Sequence, residues 1–312
     1  MKNTYIAYGI PIRSSIELPA FVPFSEHSEI PSIHVSEGKT PENLENPPTT
    51  TKPFATFNEN EFLYTVPDVA RYYVRQGRQI IIEPLGGDWS EILLIFYSNC
   101  LAATLFQRNI IPFHVSGVFV EANKVLLFAA PSRTGKSTTA VMLQEKGYAP
   151  FTDDTAVLYV ENGKCYAQAS YPMIRLWQNS IANQAVLEEH EKQPIRTDME
   201  MDKYGFFFHD AFVQHKVEVA GIVFLEEEGS DIQIMSYKPA TAMQYLGNNI
   251  YRKQWLNGMK KQMLQFTQLT SIAGCTPAWK ATRPKRQNTF QTFADALEEQ
   301  IIHPLTQAAK RQ

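Results

Sequence analysis

Apolar positions in this chain fall into short runs with two different periods. "RQIIIEPL" (residues 78–85) is a short strand-like run. "FHVSGVFVE" and "KVLLFAA" are two more, separated by a turn near Ala122 and Asn123. "KVLLFAA" is almost continuously apolar, as expected for a strand covered on both faces. "TAVLYV" and "KCYAQAS" flank Asn162-Gly163, a dipeptide suited to the tight turn of a β-hairpin. "VEVAGIVFLEE" and "DIQIMSY" predict a further strand pair, with the acidic "LEEEGSD" as a polar turn.

The helical period takes over elsewhere. "DWSEILLIFYSNCLAATLFQRN" predicts a helix with Asp88 as N-cap and Glu91 three residues on. Its Ile92, Ile95, Phe96 and Leu105 fall near one apolar stripe. Another helix is expected from about Gly135 to Lys146, with Gly147 placed to stop it. Two helical segments are expected over 241–251 and 254–272, with Leu256, Met259, Met263 and Phe266 as a core stripe. A last amphipathic helix carries Phe290, Phe293, Leu297 and Ile301. Residues 35–53 are polar and rich in Pro and Thr, a composition that predicts a loop.

Composition narrows the class. With 312 residues and 44% hydrophobic content, the chain can bury a sizeable core. Lys plus Arg number 29 against 32 Asp plus Glu, a balance unlike that of a general nucleic-acid binder. Cys100, Cys165 and Cys275 are far apart and form no CxxC pair, which argues against a disulfide framework or a zinc site. Cys100 and Cys275 sit among apolar residues and are expected as core thiols. The N-terminal "MKNTYIAYGIPIRSS" has no long apolar run and no small-residue cleavage site, so no signal peptide is expected. The longest apolar stretch, "EILLIFYSNCLAATLF", is too short to span a bilayer. The expectation is a cytoplasmic protein with no membrane partner.

The chemistry concentrates in "AAPSRTGKSTTA" (residues 129–140). A buried strand, then a loop carrying Gly-Lys-Ser, then a helix is the context that a phosphate-binding loop requires. Backbone N–H groups of such a loop and of the helix N-terminus point at phosphate oxygens. The candidate nucleotide-binding residues are Ser132, Arg133, Thr134, Gly135, Lys136, Ser137 and Thr138. Gly135 allows a tight turn, Lys136 brings a point charge to the β and γ phosphates, and Ser137 offers a hydroxyl to Mg²⁺. Ala130 stands where the motif has its first glycine, and Arg133 is a second departure.

Asp153 and Asp154 follow Lys136 by seventeen and eighteen residues, with a helix between. In an α/β sheet that spacing returns a strand edge to the phosphate site. One carboxylate there can hold Mg²⁺ while the other accepts a proton from an attacking hydroxyl. Neighbours on a strand point to opposite faces, so the two are expected to have different roles.

The segment from Phe113 to Val160 resembles the catalytic core of the HPr serine kinase/phosphorylase family. That family has a His ahead of a glycine-containing strand, a hairpin, a phosphate loop, a helix ending in Gly, and an Asp-Asp pair at this spacing. The resemblance implies that His114 orients or tunes the acidic catalytic group, and that the aspartate pair includes the proton acceptor, with Asp154 favoured. It implies Asp153 and Ser137 as magnesium residues and Lys136 as a phosphate residue. "YPMIRLW" is similar to the segment in which the family carries an acidic metal-binding residue followed by an Arg. Arg175 is retained there, able to neutralise charge on the transferring phosphoryl, while Met173 stands at the acidic position. "RPKRQN" (residues 283–288) lies between a strand and the last helix, where the family has a loop linked to phosphorolysis; no phosphorolysis is inferred.

Taken with "YGIPIRSSIELP", these segments look more like a divergent branch of HPr-kinase-like proteins encoded with ribosomal-peptide modification systems, notably lasso-peptide clusters. The resemblance implies ATP and Mg²⁺ as cofactors and a precursor peptide as partner, phosphorylated on its C-terminal Ser. A small-molecule hydroxyl, an HPr-like carrier protein, or a non-catalytic ATP sensor are the alternatives, and a homo-oligomer stays open. Lys203 is either a solvated lysine or a contact to phosphates or to the peptide's carboxylate, and Phe206, Phe207, Phe208 and His209 form either core or a peptide groove. The fold expected is α/β, a phosphate-loop kinase core of mixed sheet and flanking helices over 111–312. An N-terminal α+β extension over 1–110, which would contribute to peptide recognition, precedes it.

Overall fold

The computed structural model describes residues 3–25, 28–131, 134–177, 191–196, 203–285, 287 and 289–309. The chain forms two compact units, Met1–Pro112 with Tyr251–Phe266, and Phe113–Ile250 with Thr267–Gln312.

The first unit is built on a nine-stranded sheet. Its strands are β1 (Asn3–Ala7), β2 (Ile10–Ser14), β3 (Val22–Pro23), β4 (Ile33–Glu37), β5 (Thr50–Thr51), β6 (Ala55–Phe57), β7 (Glu61–Val66), β8 (Ala70–Arg75) and β9 (Gln79–Pro84). Their order is β3-β1-β2-β4-β9-β8-β7-β6-β5. Helix α1 (Trp89–Gln107) follows, with a π-helical turn at Phe96–Cys100. The Asp88 carboxylate accepts the Glu91 N–H at 3.0 Å, which caps the helix as expected. Tyr72 on β8 donates its hydroxyl to the Ile92 carbonyl at 3.0 Å and fixes α1 to the sheet.

Two expectations change in this unit. The apolar stretch proves to lie in a helix of 19 residues, long and apolar enough to cross a membrane, with 67% of its most apolar window buried inside the fold. Residues 35–53 are more ordered than their composition predicts. Val35 is a fully buried member of β4, and Thr50 and Thr51 pair with β6. Between them, the buried Glu61 carboxylate accepts the backbone N–H groups of Glu45 and Asn46 at 2.8 and 3.0 Å. It also accepts from Tyr73 at 2.7 Å. Burial works against its charge, yet these bonds with those from Asn46 and Asn58 draw its carboxyl down from 4.5 to about 2.

The second unit is a mixed sheet flanked by helices. Strands β10 (Pro112–Phe113), β11 (Val115–Glu121) and β12 (Lys124–Ala129) lead to helix α2 (Lys136–Glu145). Then come β13 (Pro150–Thr152), the hairpin β14 (Ala156–Glu161) and β15 (Lys164–Ala169), and a three-stranded sheet of β16 (Met173–Trp177), β17 (Glu191–Arg196) and β18 (Lys203–Phe207). The chain continues through β19 (Val217–Glu227), β20 (Gln233–Ser236), α3 (Pro239–Asn248), α4 (Gln262–Cys275) and β21 (Ala278–Arg283). It closes with α5 (Phe290–Leu297), a π-helical turn at Glu298–Ile302, and α6 (His303–Ala309). The hairpin turn is as expected, with Asn162 and Gly163 at φ 51° and 75°.

Strand β12 is buried on both faces, Val125 to Ala129 all being fully covered. It runs parallel to β19 on one edge and antiparallel to β11 on the other. Leu126 and Phe128 face a core shared with Ala140 and Leu143 of α2 and with Phe293 and Leu297 of α5. The end of α2 is tied to the last helical stretch by Lys146, whose Nζ lies 2.9 Å from Asp295 and 2.5 Å from Glu298.

Three readings of the second half are corrected. β19 and β20 are both strands, but they do not pair with each other; β21 lies between them, parallel to β19 and antiparallel to β20. The segment expected as a helix over 254–272 is broken at Lys260, where φ is 56°, and α4 begins only at Gln262. Its supposed stripe divides accordingly, Leu256 and Met259 being buried while Met263 and Phe266 are exposed. Cys100 is fully buried as expected, and burial pushes its thiol up; Cys275 is only half-buried.

Candidate functional site

Strand β12 ends at Ala129 and runs into Ala130 and Pro131, and helix α2 starts at Lys136. Ser132 and Arg133 lie outside the described residues. Ala130, at the position of the missing glycine, is buried in the core against α2. Thr134 donates its N–H to the Pro131 carbonyl at 3.4 Å. Gly135 has φ 97°, a left-handed conformation that side chains rarely adopt. A Cβ there would lie 2.7 Å from Phe290 Cε1 and 3.3 Å from Arg283 Nη2, so glycine is required for space as well as for conformation. Beyond it, the first-turn N–H groups of α2 have no partner along the helix and form its positive end. Lys136 is buried and donates from Nζ to the carbonyls of Ala130 at 2.8 Å and Pro131 at 3.4 Å. Thr138 is buried in the first turn.

The two aspartates sit in the bend between β13 and β14, not on a strand. Their different surroundings therefore come from the backbone, which turns sharply at Asp154 with φ 75°. Asp153 is buried and accepts a hydrogen bond from Ser137 at 2.8 Å, and another from Ser116. Asp154 faces His114 instead. His114 Nδ1 lies 2.8 Å from the Asp154 carbonyl oxygen and 3.7 Å from its carboxylate. A carbonyl only accepts, so Nδ1 carries the proton of the neutral ring. Burial holds the imidazole below its ordinary pKa, and the Lys136 charge adds to this against the opposing pull of Asp154.

Ser137 Oγ and Asp153 Oδ1 are hard oxygen donors 2.8 Å apart at the start of α2. This set suits Mg²⁺, which takes few protein oxygens when phosphates and water supply the rest. Among the described residues, no group of three or more His, Cys, Asp or Glu side chains forms a larger metal cluster.

Arg283, at the end of β21, braces the loop from the other side. Its guanidinium pairs with Glu227, lies 4.1 Å from the Phe290 ring centroid, and donates to the Thr134 carbonyl at 3.4 Å. Beside this brace is a cavity of about 590 Å³. Its walls are the loop residues Pro131 and Thr134, the ends of β12 and β19, and α3.

The structure thus brings Thr134 to Thr138, Asp153, Asp154 and His114 together. Arg175 lies on β16, paired in register with Gly205, and its side chain falls outside the described residues, as does that of Lys203. Ile174 beside it packs with Val141 of α2, and Met173 is buried. Phe206, Phe207 and Phe208 are buried as core, and His209 stacks on Phe207 at 5.2 Å between centroids.

Ser116 was not singled out in the sequence. The signal was available: it lies two residues from His114 on an extended segment, so both side chains leave the same face. That face meets the aspartate bend.

No family model matches the chain. No curated protein matches it. Among solved structures, it is similar to the Hpr(Ser) kinase/phosphatase from Coxiella burnetii, at 14% sequence identity and a TM-score of 0.34. The similarity covers 63% of this chain and 98% of that one.

Proposed function

We propose that this protein is a kinase that transfers the γ-phosphoryl group of ATP to a Ser hydroxyl of a peptide. The observation that carries the reading is the sharing of Asp153 by Ser137 at the start of α2, with Asp154 turned the other way and tied to His114. One carboxylate then lies on the phosphate side of the site and its neighbour on a second side.

Residue roles follow from position. First-turn N–H groups of α2 and the Lys136 ammonium hold the phosphates. Lys136 reaches them by exchanging its bonds to the Ala130 and Pro131 carbonyls for charge-assisted ones. Ser137 and Asp153 would hold Mg²⁺, which offsets phosphate charge when bound. Asp154 is the base. Its side chain keeps 12% of its surface exposed, whereas Asp153 is covered and already shared by two hydroxyls. It takes the proton of the acceptor Ser as that oxygen bonds to phosphorus, and the bond from phosphorus to the ADP oxygen breaks. His114 is a positioning residue that holds the Asp154 backbone. Arg175 is assigned to charge on the transferring group, on the sequence resemblance alone.

The acceptor is the C-terminal Ser of a lasso-type ribosomal precursor peptide. This part of the reading is supported by the likeness of "YGIPIRSSIELP" and "YPMIRLW" to that branch. Incubation of the protein with such a peptide, ATP and Mg²⁺, followed by mass spectrometry, tests it. A gain of one phosphate is expected, lost in Lys136→Ala and in Asp154→Asn. Undiminished transfer by the Asp153→Asn/Asp154→Asn double variant would sink the mechanism.

A further inference from the structure

The geometry points to the cavity beside the phosphate loop as the seat of the nucleoside end of the nucleotide, and α3 as the element that recognises it. This rests on the kinase reading and adds a binding site to it.

The side of β12 that the cavity occupies decides which part of the nucleotide it can take. β12 has β11 on one edge and β19 on the other. Ser116 and His114 belong to the β11 side, where β13 also pairs and delivers the aspartate bend. The cavity is on the β19 side, walled by Phe224 and the residues after it. None of His114, Ser116, Asp153 or Asp154 lines it; it adjoins them at Asn249 after α3, whose carbonyl accepts the His114 N–H at 2.7 Å. An acceptor hydroxyl must reach Asp154, so the acceptor belongs to the first side. A molecule held at its phosphates by the loop then has the second side for its remaining part. This is also the carboxyl end of two parallel strands, β12 and β19, where open α/β sheets take their ligands.

The walls have the chemistry of a nucleoside site. Tyr245 of α3 lines the cavity with Phe224, their ring centroids 5.4 Å apart, and Tyr237 backs Tyr245 at 5.0 Å. This wall of packed rings offers an aromatic face to a flat base. Gln244 and Asn248 stand one helical turn apart and both are exposed at the rim, with carboxamides able to donate and accept. Glu226 and Glu227 supply acceptors for ribose hydroxyls. Their charge is offset by Lys280 and Arg283, so the cavity is not repellent to a nucleotide. A volume of about 590 Å³ lies within the range of small-ligand sites.

The test separates the two ends of the nucleotide. Binding of Mg-ATP and of Mg-tripolyphosphate, which lacks a nucleoside, is measured by calorimetry on the unmodified protein and on Asn248→Trp and Tyr245→Ala. The first variant narrows the cavity at its α3 wall and the second removes the Tyr245 ring from it. ATP affinity is expected to fall by about tenfold or more in each, the scale of one lost aromatic stack. Tripolyphosphate affinity should stay unchanged, which also shows that the loop is still folded. ATP affinity unchanged in both variants would overturn the assignment. So would a variant that keeps ATP affinity but raises the KM for peptide, since the cavity would then belong to the acceptor. An unmodified protein that binds neither ligand would overturn the kinase reading itself, and this one with it.

Discussion

At the scale of single residues, the site works by giving neighbouring groups different partners. Asp153 and Asp154 are adjacent, yet the left-handed turn at Asp154 sends one toward Ser137 and Ser116 and the other toward His114. His114 earns attention for its charge state. Its pKa lies below the ordinary 6.5, so the folded unit holds it neutral. The stability it confers is whole above 6.5 and is lost as pH falls through the lower folded value. His114→Gln keeps an amide donor for the Asp154 carbonyl but cannot take up a proton. The melting temperature of the second unit should therefore drop less between about pH 7.5 and about pH 5.5 in this variant than in the unmodified protein. An equal drop in both would place the acid sensitivity elsewhere. Gly135 and the aspartates were legible because each belongs to a local spacing, whereas His114 came only from the family resemblance. Ser116 shared the face of His114, a signal that the spacing offered but that takes its meaning only from the buried carboxylate it meets.

At the scale of elements, what was legible follows how local each element's cause is. β12, the loop and α2 came from one continuous stretch in which a buried strand, a glycine and a helix start succeed each other. The Asn162-Gly163 hairpin was read for the same reason. The insertion of β21 between β19 and β20 was hidden because its cause is a strand some forty residues further on. The stripe at Met263 and Phe266 failed since spacing alone cannot show the break at Lys260. The 35–53 segment shows the strongest case. Its ends join the sheet through β4 and β5, and between them a carboxylate from β7 holds Glu45 and Asn46. Because Glu61 is depressed from 4.5 to about 2, it contributes about 3 kcal/mol at neutral pH. That contribution is present above 4.5 and is lost as pH falls toward 2. In Glu61→Gln, denaturant unfolding of the first unit should show a loss of roughly 3 kcal/mol at neutral pH and almost none at about pH 2. A loss that does not vary with pH would show that the hydrogen bonds, not the charge, carry the effect.

At the scale of the whole molecule, the chain enters the first unit twice. The second pass, Tyr251–Phe266, brings Trp255, whose ring lies 4.7 Å from Phe62 and 6.3 Å from Phe57. It also brings Gly258, whose carbonyl accepts from Thr49 and whose missing Cβ leaves room for Phe57 at 2.5 Å. A fragment of residues 1–112 alone is therefore expected to lack cooperative unfolding, and circular dichroism during a thermal ramp checks this. Addition of a 251–266 peptide should restore a transition. A sharp melt by 1–112 alone would show that the second pass is dispensable.

This connectivity also orders events in time. On a ribosome, domains ordinarily fold from the N-terminus onward as they emerge. Here the first unit is begun before the second but cannot be completed until Phe266 has been made, after nearly all of the second unit's strands have been synthesised. Through that interval Phe57 and Phe62 await the tryptophan that covers them, and the nascent chain is at its most vulnerable to chaperone capture and to pairing with a neighbour.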